Sequence, residues 1–233
     1  MYSTLKKEQE RDKKRGKRLE NLQEYGFTKD QAIKVKVGFP NLLGCTAERT
    51  NGLLKNLQEY GFTKNQLIKM AASLTSLLSY TAERTNGLLK NLQKYGFTKN
   101  QVIKMAAVFP SLLSYTAERT NGLLKNLQEY GFTKNQVIKM EVKLPSLLGY
   151  TAERTGKHIE WLRHHKIEVD LVEKPFYLIT SVKTLETRRK MLKRIGFDYT
   201  RYPNPLFCGK KRWQGIFDKL SSQTISSSFK PIT

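Results

Sequence analysis

The sequence is poor in cysteine, in acidic residues and in long apolar runs. Its 233 residues include two cysteines, Cys45 and Cys208, which excludes a disulfide framework and favours two core thiols in a reducing compartment. No apolar run is long enough to cross a bilayer, and acidic residues near the N-terminus argue against a transit peptide. We therefore expect an intracellular protein of the cytoplasm or nucleoid, or of an organelle, which in a eukaryotic host would be the mitochondrion.

The sequence also lacks the motifs of the common enzyme and metal-site classes. Its three histidines, His158, His164 and His165, fall in one predicted helix without the paired cysteines that would complete a zinc site. There is no phosphate-binding glycine loop, nucleophile elbow or paired acid motif. We therefore expect no catalytic activity, no metal and no cofactor.

Basic residues, by contrast, are abundant. The chain has 42 Lys and Arg against 20 Asp and Glu, a formal net charge of +22 at pH 7. The excess is greatest near the C-terminus, where residues 151–233 contain 17 basic and 8 acidic residues. A strong positive field raises the affinity for nucleic acids and other polyanions. The charge therefore predicts a polyanionic partner.

The tripeptide Gly-Phe-Thr recurs at a fixed spacing of 35 residues, beginning at Gly26, Gly61, Gly96 and Gly131. A period in this range is typical of stacked helical repeats, in which neighbouring repeats cover each other's apolar faces. The spacing therefore predicts an all-α solenoid.

One repeat, beginning at Thr81, contains the signals for three helical elements. Thr81 is a suitable N-cap for a first helix, and Gly96 a suitable C-terminal stop. Thr98 and Gln101 match a capping box that starts a second helix, and Pro110 suits the first turn of a short third one. The apolar stripe of the first helix is Leu88, Leu89, Leu92 and Tyr95.

Two diverged repeats follow the near-identical ones. Phe197 lies 22 residues after Pro175, which is the spacing between Pro110 and Phe132. The segment that should hold the second helix is five residues shorter in these repeats, eight residues against 13. We therefore predict six repeats, with a shortened second helix in the last two and an atypical C-terminal end.

We divide the chain into four parts. Residues 1–18 are a basic N-terminal extension, either a solvated continuation of the first helix or an arm that lies along phosphate. Residues 19–180 are the near-identical repeats, 181–220 are diverged basic repeats with a cap, and 221–233 are a serine-rich flexible tail.

Three features recur together: a Pro-x-Leu-Leu turn, a helix that ends in Leu-x-x-x-Gly-Phe, and a Thr-capped helix before the next proline. They occupy residues 109–113, 123–132 and 133–145, and 184–197 repeat the pattern. Over roughly residues 20–210 the sequence thus resembles the mitochondrial transcription termination factor family. It is more weakly similar to bacterial repeat proteins that resemble transcription-activator-like effectors.

The first resemblance implies a right-handed stack of three-helix repeats, curved like a half-doughnut, with double-stranded nucleic acid on a basic concave face. It also implies a role in transcription termination or organelle RNA metabolism. The near-identity of the central repeats departs from the family, whose repeats usually diverge.

Repetition aligns basic residues in columns, with one residue from each repeat. Because arginine contacts phosphate bidentately, we expect the arginine column to bind first; lysines on an outer helix face could equally serve solubility alone. The predicted contacts are Arg49, Arg84, Arg119 and Arg154 at the start of the first helix, Lys55, Lys90 and Lys125 on its polar face, and Lys69, Lys104 and Lys139 on the second helix.

A C-terminal cluster of basic residues is expected to be the strongest phosphate contact. Between residues 181 and 212 there are ten basic and two acidic residues. Arg188 falls in the column that holds leucine at Leu53, Leu88 and Leu123, which indicates either a changed interface or an exposed end. The predicted contacts in this cluster are Arg188, Arg189, Lys193, Arg194, Arg201, Lys210, Lys211 and Arg212.

Two columns vary among the repeats and are either a base-reading code or ordinary drift. They are Lys36, Ala71, Ala106 and Glu141, and Gly38, Ser73, Val108 and Lys143.

We expect a protein that binds double-stranded nucleic acid, DNA in preference to RNA, as a monomer on its ligand, with a role in transcription regulation or termination. The alternatives are a repeat protein for ribosomal or structured RNA, and a protein–protein scaffold for an acidic partner.

Overall fold

The structure is a computed structural model that describes residues 20–38 and 47–228. These residues form helices and no β-strand, which confirms the all-α repeat architecture. The α-helices are residues 20–25, Lys29–Gly38, Ala47–Tyr60, Lys64–Ser73, Ala82–Tyr95, Lys99–Val108, Ala117–Glu129, Lys134–Lys143, Ala152–His164, Val182–Arg194, Asn204–Phe207 and Lys210–Ser228. The 3-10 helices are Thr75–Ser79, Pro110–Ser114, Pro145–Gly149 and Pro175–Leu178.

We number the repeats in chain order. Repeat 1 contains residues 20–38, and the first helices of repeats 2 to 6 begin at Ala47, Ala82, Ala117, Ala152 and Val182. In repeats 2 to 4 a first helix, a second helix and a 3-10 turn follow one another. The predicted N-terminal extension, 1–18, lies outside the described residues.

The helix boundaries in repeat 3 follow from its caps. The side chain of Thr81 accepts a hydrogen bond from the backbone N–H of Arg84 at 3.2 Å. Gly96 ends the first helix with φ +123°, a conformation that costs glycine little. Thr98 and Gln101 then form both bonds of the predicted capping box, at 2.8 and 3.2 Å. Two adjacent signals thus stop one helix and start the next.

In repeats 2 to 4, leucines on the first helix and the 3-10 turn form a large part of the core. In repeat 3, Leu88, Leu89 and Leu92 are buried, as predicted, and so are Leu112 and Leu113 of the turn. Each buried leucine stabilises the fold by about 1.5–3 kcal/mol relative to an exposed one. Tyr95, the last member of the predicted stripe, is half-buried.

The chain forms two compact units, Met1–Thr120 and Asn121–Thr233. Within the first, the second helices of repeats 1, 2 and 3 pack in order, as do the first helices of repeats 2 and 3. Within the second, the first helices of repeats 5 and 6 pack together, and Asn204–Phe207 packs between the first helix of repeat 6 and Lys210–Ser228. In both units, therefore, neighbouring repeats supply each other's apolar cover.

Repeats 5 and 6 have a turn where the sequence predicted a shortened second helix. The Asp170 carboxylate accepts from the backbone N–H groups of Val172 and Glu173, both at 2.9 Å. Asp198 does the same for Thr200 and Arg201 at 3.1 and 3.2 Å. These aspartates bind the amides that a helix would otherwise use, so the prediction of a residual helix was wrong.

The last helix, Lys210–Ser228, includes residues 221–228, for which a loose tail was predicted. Serine side chains bond back to the preceding turn: Ser221 Oγ donates to the Phe217 carbonyl and Ser222 Oγ to the Lys219 carbonyl, both at 2.9 Å. The helix thus accommodates these two serines, whose hydroxyl groups are satisfied by the preceding turn. Residues 229–233 of the predicted tail lie outside the described residues.

Candidate nucleic-acid interface

The arginine column ties the first helix of a repeat to the 3-10 turn of the same repeat. Each of three guanidinium groups donates a hydrogen bond to a backbone carbonyl at or just after the 3-10 turn that closes the same repeat. The pairs are Arg49 Nη2 to Ser79 O at 2.6 Å, Arg84 Nη2 to Ser114 O, and Arg154 Nη2 to Ile179 O at 3.0 Å. These donors satisfy carbonyl oxygens that a short helix leaves without an internal partner.

The same arginines also cover tyrosine rings. The guanidinium carbons lie 5.4, 4.5 and 4.1 Å from ring centroids in the pairs Arg84–Tyr80, Arg119–Tyr115 and Arg154–Tyr150. These are cation–π distances. The arginines ranked first by the sequence analysis are thus engaged within the protein, and the tyrosine rings that could stack on single strands are covered.

We expect Arg84→Lys to weaken the fold without weakening ligand binding. Lysine keeps the charge but cannot reproduce the contacts of Arg84 to Ser114 and Tyr80, so the free energy of unfolding should fall by about 1 kcal/mol. Urea unfolding and duplex binding of the same samples measure both quantities. Lys90→Arg, on the same helix, is the matched control, for which we expect no change in stability. Weaker binding of Arg84→Lys at unchanged stability would contradict this role.

The lysines on the first helices are exposed to solvent. Lys55 and Lys90 make no ion pair within the described residues, whereas Lys125 lies 3.7 Å from Glu129. Repeat 3 has Lys94 at the position that holds glutamate in repeats 2 and 4. The first helix of repeat 3 therefore carries two exposed cations one turn apart, which the column analysis did not single out.

The second helices carry two kinds of lysine. Lys64 and Lys99, in the first turn, lie 5.3 and 5.4 Å from the ring centroids of Tyr25 and Tyr60 in the preceding repeat. Further along, Lys69 and Lys104 are exposed and make no ion pair within the described residues. They occupy the same position in adjacent helices that pack together, so they form a short row on one surface of the first unit.

In repeat 4 this column is neutralised by an acid. The carboxylate of Glu173 forms ion pairs with both Lys139 and Lys143. Hydrogen bonds from Lys139 and then Lys143 lower the pKa of Glu173 to about 2. Glu173 lies in the Asp170 turn, which replaces the second helix of repeat 5. The sequence did not reveal this pairing, because the partners are 30 or more residues apart.

Arg188 is buried and serves the fold. Its Nη1 donates to the carbonyls of Leu206 and Cys208 at 2.8 and 2.7 Å, and its guanidinium lies 4.9 Å from the Trp213 ring centroid. Burial lowers its pKa, but arginine stays charged at any physiological pH. Of the two alternatives, a changed interface is the one observed, and we do not carry Arg188 into the proposed interface.

His158 makes a similar change one repeat earlier. It is 1% exposed and takes the position of Leu53, Leu88 and Leu123. Its Nδ1 lies 2.6 Å from the Arg154 carbonyl, and its Nε2 bonds the Thr180 carbonyl. Among the described residues no cluster of histidine, cysteine and acid could hold a metal ion.

Arg189 belongs to a polar network between repeats 5 and 6. It forms a bidentate pair with Glu186 at 2.9 and 2.5 Å, and Glu186 also accepts from the Trp161 indole at 3.3 Å. The bonds from Arg189 lower the pKa of Glu186 to about 2. The remaining members of the predicted C-terminal cluster are exposed: Lys193, Arg194, Arg201, Lys210, Lys211 and Arg212.

A model of the mTERF family matches residues 4–122 and 53–213 of the chain. The chain belongs to the mTERF family. The overlap of the two matches is what a 35-residue period allows, because the family pattern fits these near-identical repeats in more than one register. No curated protein matches the chain. mTERF proteins are nucleic-acid-binding helical repeat proteins, which agrees with the exposed cations described above. Within the described residues, no helix has the length and apolarity needed to span a membrane.

Proposed function

We propose that this mTERF protein binds double-stranded nucleic acid, DNA in preference to RNA, and regulates or terminates transcription. The observation that supports this best is the pairs of exposed lysines at equal positions in repeats 2 and 3: Lys55 with Lys90, and the row formed by Lys69 and Lys104. The exposed C-terminal cations would form a second contact region.

The spacing of the lysines suits a polymer of phosphates. Packed helices lie about 8–10 Å apart, so lysines at equal positions of adjacent helices are separated by about three base pairs of duplex. A small anion would meet one lysine at a time, whereas a nucleic-acid strand can follow the row. Duplex is favoured over single strands because arginines cover the tyrosine rings that recur along the repeats, Tyr80, Tyr115 and Tyr150, and binding along a single strand needs a series of open aromatic surfaces. The preference for DNA rests on the family's role in transcription.

A gel-shift comparison of duplex DNA, duplex RNA and both single strands, at one length and one salt concentration, tests the proposal. The variant Lys69→Gln/Lys104→Gln removes the row. The control Lys64→Gln/Lys99→Gln removes the same charge from the same helices, at side chains that lie over tyrosine rings. For the row variant we expect the slope of log affinity against log salt to become about 2 units less steep, and for the control we expect little change.

Each outcome of this comparison selects one function. Tightest binding to duplex DNA supports the proposal, and tightest binding to duplex RNA favours the RNA-binding alternative. Equal, weak binding of all four ligands with displacement by an acidic protein favours the scaffold. Sedimentation of the complex should give one chain per duplex site, and a run-off assay on a template that contains a bound site tests the role in transcription.

Glu173→Gln should increase the affinity for duplex. The substitution removes the carboxylate that pairs with Lys139 and Lys143, which frees two lysines for phosphate. We expect severalfold tighter binding at low salt, with a slope about one to two units steeper. Because the pKa of Glu173 is about 2, lowering the pH from 8 to 5 should not reproduce this effect. Unchanged affinity would place these lysines outside the interface.

A further inference from the structure

A cavity of about 390 Å³ lies among the C-terminal elements of the second unit. It is bounded by the 3-10 turn Pro175–Leu178, the short helix Asn204–Phe207 and the first turns of Lys210–Ser228. The volume is in the range of small-molecule sites. The lining residues that matter here are Lys174, Phe176, Asn204, Phe207, Cys208 and Arg212.

One wall of the cavity is aromatic and partly open. Phe176 is 40% exposed, although it belongs to a turn whose Tyr177 and Leu178 are buried. The Phe176 ring lies 4.4 Å from Tyr177, which in turn meets Phe207 edge-on at 4.4 Å. The ring is therefore held by an aromatic cluster and still offers surface to a ligand. Proteins that bind single-stranded nucleic acid stack its bases on exposed aromatic rings beside positive charge.

Polar groups of two kinds surround this ring. Lys174 and Arg212 are exposed and make no ion pair within the described residues, so the rim carries two positive charges. The Asn204 side-chain oxygen accepts a hydrogen bond from the Tyr177 hydroxyl at 2.5 Å. That bond leaves the amide NH₂ of Asn204 as a donor, and every base has acceptor atoms on its edges.

We propose that this cavity binds a single unpaired nucleotide, with the base on Phe176, the phosphate near Lys174 and Arg212, and a base edge toward Asn204. An apolar ring, two cations and an amide donor match the three parts of a nucleotide. The nucleotide could be free or could belong to an unpaired end of a nucleic acid, and only the second source rests on the proposed function.

Protection of Cys208 from alkylation tests the proposal on the full chain. The Cys208 thiol lines the cavity, is half-buried and donates to the Pro205 carbonyl at 3.2 Å. Iodoacetamide labelling with peptide mapping separates Cys208 from Cys45. The probes are adenosine monophosphate, inorganic phosphate at equal concentration, a blunt duplex, and the same duplex with a one-nucleotide overhang.

We expect adenosine monophosphate, or the overhang in excess of the blunt duplex, to slow labelling of Cys208, and inorganic phosphate to have no effect. Protection by the free nucleotide identifies the first source, and protection by the overhang alone identifies the second. Phe176→Leu should lower the affinity for the protecting probe about tenfold or more, and Phe176→Tyr should keep that affinity. Arg212→Gln should weaken binding of the same probe, measured as the protection relative to the labelling rate of that variant without probe.

The proposal is overturned if no nucleotide slows the labelling, or if overhang and blunt duplex protect equally and adenosine monophosphate does not. Equal protection by inorganic phosphate would also overturn it, because a phosphate site needs no aromatic ring. Failure of the lysine-row variants to alter duplex binding would count against the proposed function alone. Protection of Cys208 by adenosine monophosphate is independent of that result.

Discussion

Glu141→Ala is expected to stabilise the protein by about 1–3 kcal/mol at neutral pH. Glu141 is fully buried in the second helix of repeat 4, and neither carboxylate oxygen has a hydrogen-bond partner. The Leu148 amide faces this carboxyl group without completing a bond. Repeats 2 and 3 have alanine at the same position, Ala71 and Ala106, also fully buried, so the repeat fold accommodates the smaller side chain.

The stabilisation should depend on pH in a defined direction. Burial raises the pKa of Glu141 well above its ordinary value near 4.5. Below pH 4.5 the carboxyl group is protonated in both the folded and the unfolded state, so ionisation costs nothing. Above pH 4.5 the Glu141 carboxyl group ionises in the unfolded chain but stays protonated in the folded protein. The free energy of unfolding of the natural protein therefore falls as the pH rises, until the pH exceeds the folded-state pKa. The advantage of Glu141→Ala should therefore grow as the pH rises from about 4.5.

Urea unfolding of the natural protein and two variants between pH 4 and pH 8 measures this effect. Glu141→Gln is the matched control, because it removes the ionisation but leaves a buried amide. We expect it to lose the pH dependence and to gain less stability than Glu141→Ala. A Glu141→Ala protein less stable than the natural one at pH 7 would show that the carboxyl group has a partner.

Local structure in this protein could be read from the sequence because its signals are local. The bonds of Thr98 with Gln101, and the positive φ of Gly96, involve residues at most four apart. A capping box or a glycine stop needs no information from the rest of the chain. The boundaries in the intact repeats were therefore predictable, whereas the Asp170 and Asp198 turns required knowledge of which amides an aspartate would bind.

The roles of the basic columns could not be read in the same way. Arg84 and Lys90 both lie on the exposed side of one helix, and they differ in what the fold places beside them, which for Arg84 is the 3-10 turn 30 residues further on in the same repeat. The same limit applies to the variable columns. Ala71, Ala106 and Glu141 are fully buried, so base reading at those residues was a wrong interpretation. The column Gly38, Ser73, Val108 and Lys143 is exposed, and its role stays a prediction.

Replacing the six exposed C-terminal cations with glutamine should nearly abolish duplex binding at moderate salt. Within the described residues none of the six forms an ion pair, so their charge is available to phosphate. If each contacts one phosphate, the slope of log affinity against log salt should become about 5 units less steep, and affinity near 0.1 M salt should fall about 100-fold or more. The changed residues are Lys193, Arg194, Arg201, Lys210, Lys211 and Arg212.

The design leaves Arg188 and Arg189 in place, because both hold the fold. Circular dichroism and thermal unfolding should therefore match the natural protein. The control exchanges Lys193, Lys210 and Lys211 for arginine, which keeps every charge and should keep the affinity. Salt titrations of a duplex of fixed length give both slopes. Each phosphate contact releases counterions, so losing six contacts must change the slope of log affinity against log salt. A slope change below about 1 unit would show that these six cations do not contact phosphate, and would place the interface at the lysine row of the first unit.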